Sequence, residues 1–177
     1  MLKFILNLLF PKQNKEQIAL PVVISNQLLE YITLDDWITS SGSYPERAKS
    51  LELTDSVKNN AIDLIRRINS LLNELQWNEK VRISSGFRPS EVNANVPNSA
   101  KKSAHMIGMA LDIYQPLNNN KLGLLIRKIQ DNQGKFGILG KKELMMEKLE
   151  STVGKNSSWV HLDIVKRNER QSMEFIP

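Results

Sequence analysis

Cysteine is absent from this sequence. That excludes disulfides and every metal site built on thiolates. A reducing compartment fits, and so does a bacterial or viral protein that works outside the cell. Aromatic residues make up only 6% of the chain, and its lysines are scattered. A surface of interleaved basic and stacking side chains is therefore not supported, and no nucleic-acid partner is expected. Long hydrophobic runs are missing as well. The most apolar stretch, MLKFILNLLF at residues 1–10, falls well short of the roughly 20 residues that span a bilayer. Histidine is almost missing, with two in the whole chain.

What is present fits one compact domain with short appendages. The hydrophobic fraction of 41% is enough for a real core, and the net charge of +5 favours an anionic polymer as partner. Residues 1–17 read as an apolar segment and a polar linker, and 18–177 as a single domain. Three readings of residues 1–10 stay open: a weak signal segment, an interfacial anchor making weak membrane contact, or a helix that docks on a partner. Nothing in the pattern specifies an oligomeric state.

The two histidines lie in two conspicuous stretches, Ser103-Ala-His105-Met-Ile-Gly108-Met-Ala110-Leu-Asp112 and Trp159-Val-His161-Leu-Asp163. A chain so poor in histidine does not need the residue for packing, which favours a shared role. A catalytic zinc site takes three ligands from His, Asp or Glu and leaves a fourth position for water. His105, Asp112 and His161 supply such a set. His105 and Asp112 are seven residues apart, so they do not share a helix face as a HExxH pair does. With His105 in a loop and Met109–Ile113 as a strand, Gly108, Ala110 and Asp112 point one way. His161 comes from a second strand, Trp159–Val165. The plain alternative is a hydrogen-bonded loop histidine and an unrelated core histidine.

Around these stretches the chain reads as α+β, with helices packed on one face of a mostly antiparallel sheet. Thr33 caps a helix with carboxylates in its first turn. Thr54 caps the longest helix, Asp55 to about Gln76, whose apolar positions Val57, Ala61, Leu64, Ile65, Ile68, Leu71, Leu72 and Leu75 follow a 3.6 period. Val81–Ser85 is a short strand, followed by a turn at Gly86-Phe-Arg88-Pro89 and a loop over 90–102. Lys121 to about Asp131 is a second amphipathic helix. Gly134, Gly137 and Gly140 mark loops. Leu144–Leu149 and Ser158–Val165 form a hairpin turned at Gly154–Ser157.

The SxHxxGxAxD pattern of Ser103–Asp112, followed by Trp159-Val-His161, resembles the zinc metallopeptidases of the D-alanyl-D-alanine carboxypeptidase superfamily. That group includes D-Ala-D-Ala dipeptidases, phage endolysins and murein endopeptidases, and shares its fold with the hedgehog signalling domain. Ser85-Gly86-Phe87-Arg88-Pro89 with Asn93 is similar to the SGxRxxxxN region of that group. The likeness covers roughly residues 33–177 and is greatest to the short peptidase M15-like proteins of tailed phages and prophages. It implies His105, Asp112 and His161 as zinc ligands, Arg88 as the arginine that holds a substrate carboxylate or carbonyl, and Ser103 as the residue that orients the His105 loop. The implied substrate is peptidoglycan peptide, and the implied place of action is the bacterial cell wall. One position departs from the pattern. Many members carry Asp or Glu three residues before the last histidine as general base, and here that residue is Ser158. Glu147 matches the glutamate of the phage-type pattern instead, with Glu150 and Asp163 as competitors. A member lacking its base would be a non-catalytic module that binds metal or cell wall.

Overall fold

Five strands form one sheet in the order β1 (Arg82–Ser85), β2 (Ala110–Tyr114), β4 (Trp159–Asp163), β3 (Met145–Glu147) and β5 (Glu174–Phe175). The first four pair antiparallel, and β5 adds to β3 in parallel. The structure is a computed structural model, and it describes residues 30–40, 45–78, 81–114, 121–132, 138–147, 159–166 and 174–175. The helices are α1 (Leu34–Thr39), α2 (Asp55–Glu74), α3 (Ser90–Ala94), α4 (Lys121–Asp131) and α5 (Ile138–Lys141). The fold is α+β, as the sequence pattern predicts.

The strongest periodicity in the sequence becomes the principal scaffold. The Thr54 hydroxyl accepts the Val57 N–H at 3.3 Å and starts α2. Ala61, Leu64, Ile65, Ile68, Leu71 and Leu72 form its buried stripe. That stripe meets one face of the sheet, where Leu111, Ile113, Val160 and Leu162 are withdrawn from solvent, and Leu125 and Ile129 of α4 join the same core. Full burial of each such side chain is worth about 1.5–3 kcal/mol, so the two helices hold the sheet mainly through this layer. At α1, Thr33 and Asp36 form a reciprocal cap, and Trp37 is fully buried.

Three elements differ from the sequence expectation. Residues 90–102 are not all loop, because Ser90–Ala94 makes the short helix α3. Its first N–H, on Ser90, is taken at 2.9 Å by the carboxylate of Glu52, 38 residues away, a cap that no local pattern announces. Gly140 lies within α5 instead of marking a loop. Glycine in a helix costs about 1 kcal/mol, and complete burial of the neighbouring Leu139 offsets it. Strand β5 was not anticipated. The apolar segment at residues 1–10, the linker to residue 17, Glu150, Gly154–Ser157 and Ser158 lie outside the described residues. No helix among the described residues is long and apolar enough to cross a membrane.

Candidate metal centre

Side chains two apart on a strand share a face. On β2 and β4 the face turned away from the apolar core carries Asp112 and His161, which are direct partners in the register, and next to them Ala110 and Asp163, also partners. Sheet pairing therefore brings together two residues 49 positions apart, with Asp112 Oδ1 2.7 Å from His161 Nδ1.

His105 arrives by a different route. It sits in a turn of 3₁₀ helix, Ala104–Ile107, which Ser103 caps by accepting the His105 N–H at 3.4 Å. The turn ends at Gly108 with φ +79°, a left-handed conformation that suits glycine. A Cβ there would lie 2.1 Å from the Val57 carbonyl oxygen. Gly108 thus lets the turn close on α2, where Asn60 also donates to the Ile107 carbonyl at 2.8 Å. This corrects the expectation that Gly108 points the same way as Ala110 and Asp112 on the strand. The long helix itself positions the histidine turn.

His105 Nε2 lies 3.3 Å from His161 Nδ1 and 3.4 Å from Asp112 Oδ1. The donor atoms of His105, Asp112 and His161 fall within 4.8 Å of one another, a group able to hold a metal ion. The outward-facing ring nitrogens decide whether this set fits a cation. His105 Nδ1 is 2.9 Å from the Gly86 carbonyl oxygen, which can only accept, so Nδ1 carries the proton and Nε2 presents a lone pair. Nε2 of His161 is 3.3 Å from the Asp163 carboxylate, which can keep the ring proton there and free the Nδ1 lone pair when a cation, in place of a proton, lies between Nδ1 and Asp112. Two lone pairs and one carboxylate oxygen then converge, a set of acceptors that needs a cation among them. The residues fit a divalent metal.

The titration behaviour agrees with this geometry. Burial pulls the His105 imidazole down from its ordinary value, and the attraction of Asp112 opposes that pull. Burial alone would raise Asp112, but the charges and hydrogen bonds of His105 and His161 outweigh it and hold the carboxyl well below the usual range. Burial lowers His161 too, yet hydrogen bonds to Asp112 and Asp163 push it up to about 9. Without a metal, a proton on His161 takes the cation's place.

Arg88 stands beside the group. Its Nε donates to Ser85 Oγ at 2.7 Å and its Nη2 to Asp112 Oδ2 at 3.0 Å. Ser85 faces Asp112 because a bulge between Ile83 and Ser85 shifts the register of β1 against β2. Below, Gly86 packs so tightly on Trp37 that a Cβ would lie 2.0 Å from the Trp37 carbonyl oxygen. The Trp37 indole donates to the Ala110 carbonyl at 3.0 Å. Sequence reasoning did not single out Trp37, Asn60 or the Gly86 carbonyl. Only the glycine between a strand and an aromatic residue hinted at close packing there.

Glu147 closes β3. The β3–β4 register pairs Met145 with Asp163 and Met146 with Leu162; Glu147 follows Met146 on β3, and His161 precedes Leu162 on β4. The Glu147 side chain lies outside the described part of the chain. Asp163 is fully buried, and its Oδ1 accepts the Val165 N–H at 2.9 Å.

A family model described as Peptidase M15 matches residues 46–163, two thirds of the chain, and spans all three donor residues. No curated protein and no solved structure matches the chain.

Proposed function

The chain belongs to the peptidase M15 family, and from that premise we propose that it is a zinc-dependent peptidase of cell-wall peptide, cutting a bond that involves D-alanine or a cross-link. The observation that carries this reading is the convergence of one donor atom each from His105, Asp112 and His161 within 4.8 Å. Two imidazoles and one carboxylate leave a bound divalent ion with a charge of about +1 and a position for water. When bound, the ion supplies Lewis acidity, polarising the scissile carbonyl and lowering the pKa of water toward about 7.

The chain's own residues do the rest. Glu147 takes the proton of the attacking water and returns it to the leaving amine, a role worth about 10²–10⁴-fold in rate. The register of β3 against β4, carried on to His161, supports that assignment. Arg88 holds Asp112 with one edge of its guanidinium and has no partner for Nη1 among the described residues, which leaves Nη1 to receive a substrate carbonyl or carboxylate. Ser103 keeps the His105 turn in place. The net charge of +5 suits an anionic wall polymer.

The test is to load the purified protein with zinc, measure the metal, and incubate it with peptidoglycan while following new amines. One zinc per chain and steady amine release are expected. Glu147→Ala should keep the zinc and lose about 10²–10⁴-fold of the rate. No release from metal-loaded protein rejects the peptidase reading. A second reading, a non-catalytic module of the same fold, is motivated by Ser158 at the usual base position. Wild type and Glu147→Ala that are equally inert, yet both bind wall fragments, favour it. Deleting residues 1–10 and following membrane partition tests whether that segment makes a weak membrane contact.

A further inference from the structure

We infer that Asp163 is a positioning residue for the metal centre: it holds the Nε2–H of His161 and so fixes Nδ1 as the nitrogen that meets the ion. The inference rests on the metal-site reading above and concerns a residue outside the three donors. His161 and Asp163 lie two apart on β4, so their side chains leave the strand on the same face. Asp163 Oδ2 is 3.3 Å from His161 Nε2, and the Asp163 side chain is 0% exposed. Its other oxygen accepts the Val165 N–H at 2.9 Å. The carboxylate is thus anchored to backbone on one side and faces the ring on the other. Across the sheet its direct neighbours are Ala110 on β2 and Met145 on β3.

The chemical consequence follows from the tautomers of imidazole. A neutral ring carries one proton, and the hydrogen bond made by one nitrogen decides which nitrogen keeps the lone pair. With Nε2–H turned to Asp163, the Nδ1 lone pair is free for an ion held jointly with Asp112 Oδ1, 2.7 Å from Nδ1, and His105 Nε2, 3.3 Å from it; without an ion, Nδ1 donates to Asp112 instead. The carboxylate also makes the ring a better donor to a cation. Full burial and the backbone hydrogen bond suit Asp163 to this fixed role better than to that of a base reached by water.

The experiment measures zinc affinity by chelator competition for wild type, Asp163→Asn and Asp163→Leu, with circular dichroism to check folding. Asp163→Leu should weaken zinc by roughly 10–100-fold, and Asp163→Asn, which keeps an oxygen acceptor, by less. Unchanged affinity in two folded variants overturns the inference. Proton–nitrogen NMR of wild-type protein gives an independent reading if Asp163→Leu does not fold. The zinc-loaded His161 ring should carry its proton on Nε2, and a proton on Nδ1 overturns the inference. A wild type that binds no divalent ion overturns the metal-site reading and this inference with it, whereas zinc binding that ignores residue 163 overturns this inference alone.

Discussion

Strands β2 and β4 each have two buried faces, and the two stay buried by opposite means. Leu111, Ile113, Val160 and Leu162 face α2 and α4. Asp112, His161 and Asp163 face away from that layer, and both carboxylates are nearly sealed from solvent. On the apolar face burial is itself favourable, at about 25 cal/mol per Å². On the polar face burial opposes every charge, and each charge is kept only by its partners. The apolar face can therefore absorb a change of shape at moderate cost. The polar face cannot absorb the loss of a partner, and its three converging donors could hold a metal ion.

The sharpest way to break this contrast is to remove one donor. His105→Ala and His161→Ala should each take zinc from one per chain to none by metal analysis, and retained stoichiometric zinc would dissolve the proposed site. Next comes the apolar face. Leu111→Ala, one residue from Asp112, should cost about 2–5 kcal/mol in denaturant unfolding yet leave zinc affinity within a few-fold of wild type. A large drop in affinity would mean that the two faces are not independent.

Gly108 sits where the scaffold meets the site. Gly108→Ala combines a positive φ with a Cβ driven against the Val57 carbonyl, so it should destabilise the protein by more than about 1 kcal/mol and weaken zinc through the displaced His105 turn. A variant as stable as wild type, with unchanged zinc affinity, would separate the helix from the site.

The smallest effect is a dependence on pH. In metal-free protein His161 is raised from 6.5 to about 9. A raised pKa stabilises the fold fully below about pH 6.5, and that contribution is lost as pH climbs through about 9. The metal-free Tm should fall across this window. In the proposed zinc-bound state the ion takes the place of that proton, so zinc should flatten the fall, and apparent zinc affinity should rise over the same range. A metal-free Tm that stays level from pH 6.5 to 9 contradicts the paired state of His161.

Local chemistry made much of the molecule legible in advance. The caps at Thr33 and Thr54 and the stripe from Ala61 to Leu72 obey short-range rules, and the helices formed where those rules put them. The scarcity of histidine drew attention to positions 105 and 161. What stayed illegible depended on distant neighbours: the Glu52 cap on α3, the burial of Leu139 that carries α5 past Gly140, and the contact of Gly108 with α2.

The sequence by itself determined which residue types were available for chemistry and where helices α1, α2 and α4 and strands β1 to β4 would form, because propensity, periodicity and capping act over a few residues. Only the tertiary structure decided that Asp112 and His161 would be register partners, that the Gly86 carbonyl would stand behind the His105 imidazole, and that Arg88 would hold the second oxygen of Asp112. Those relations span from about twenty to fifty residues, and they exist only once sheet pairing and core packing have set the distances.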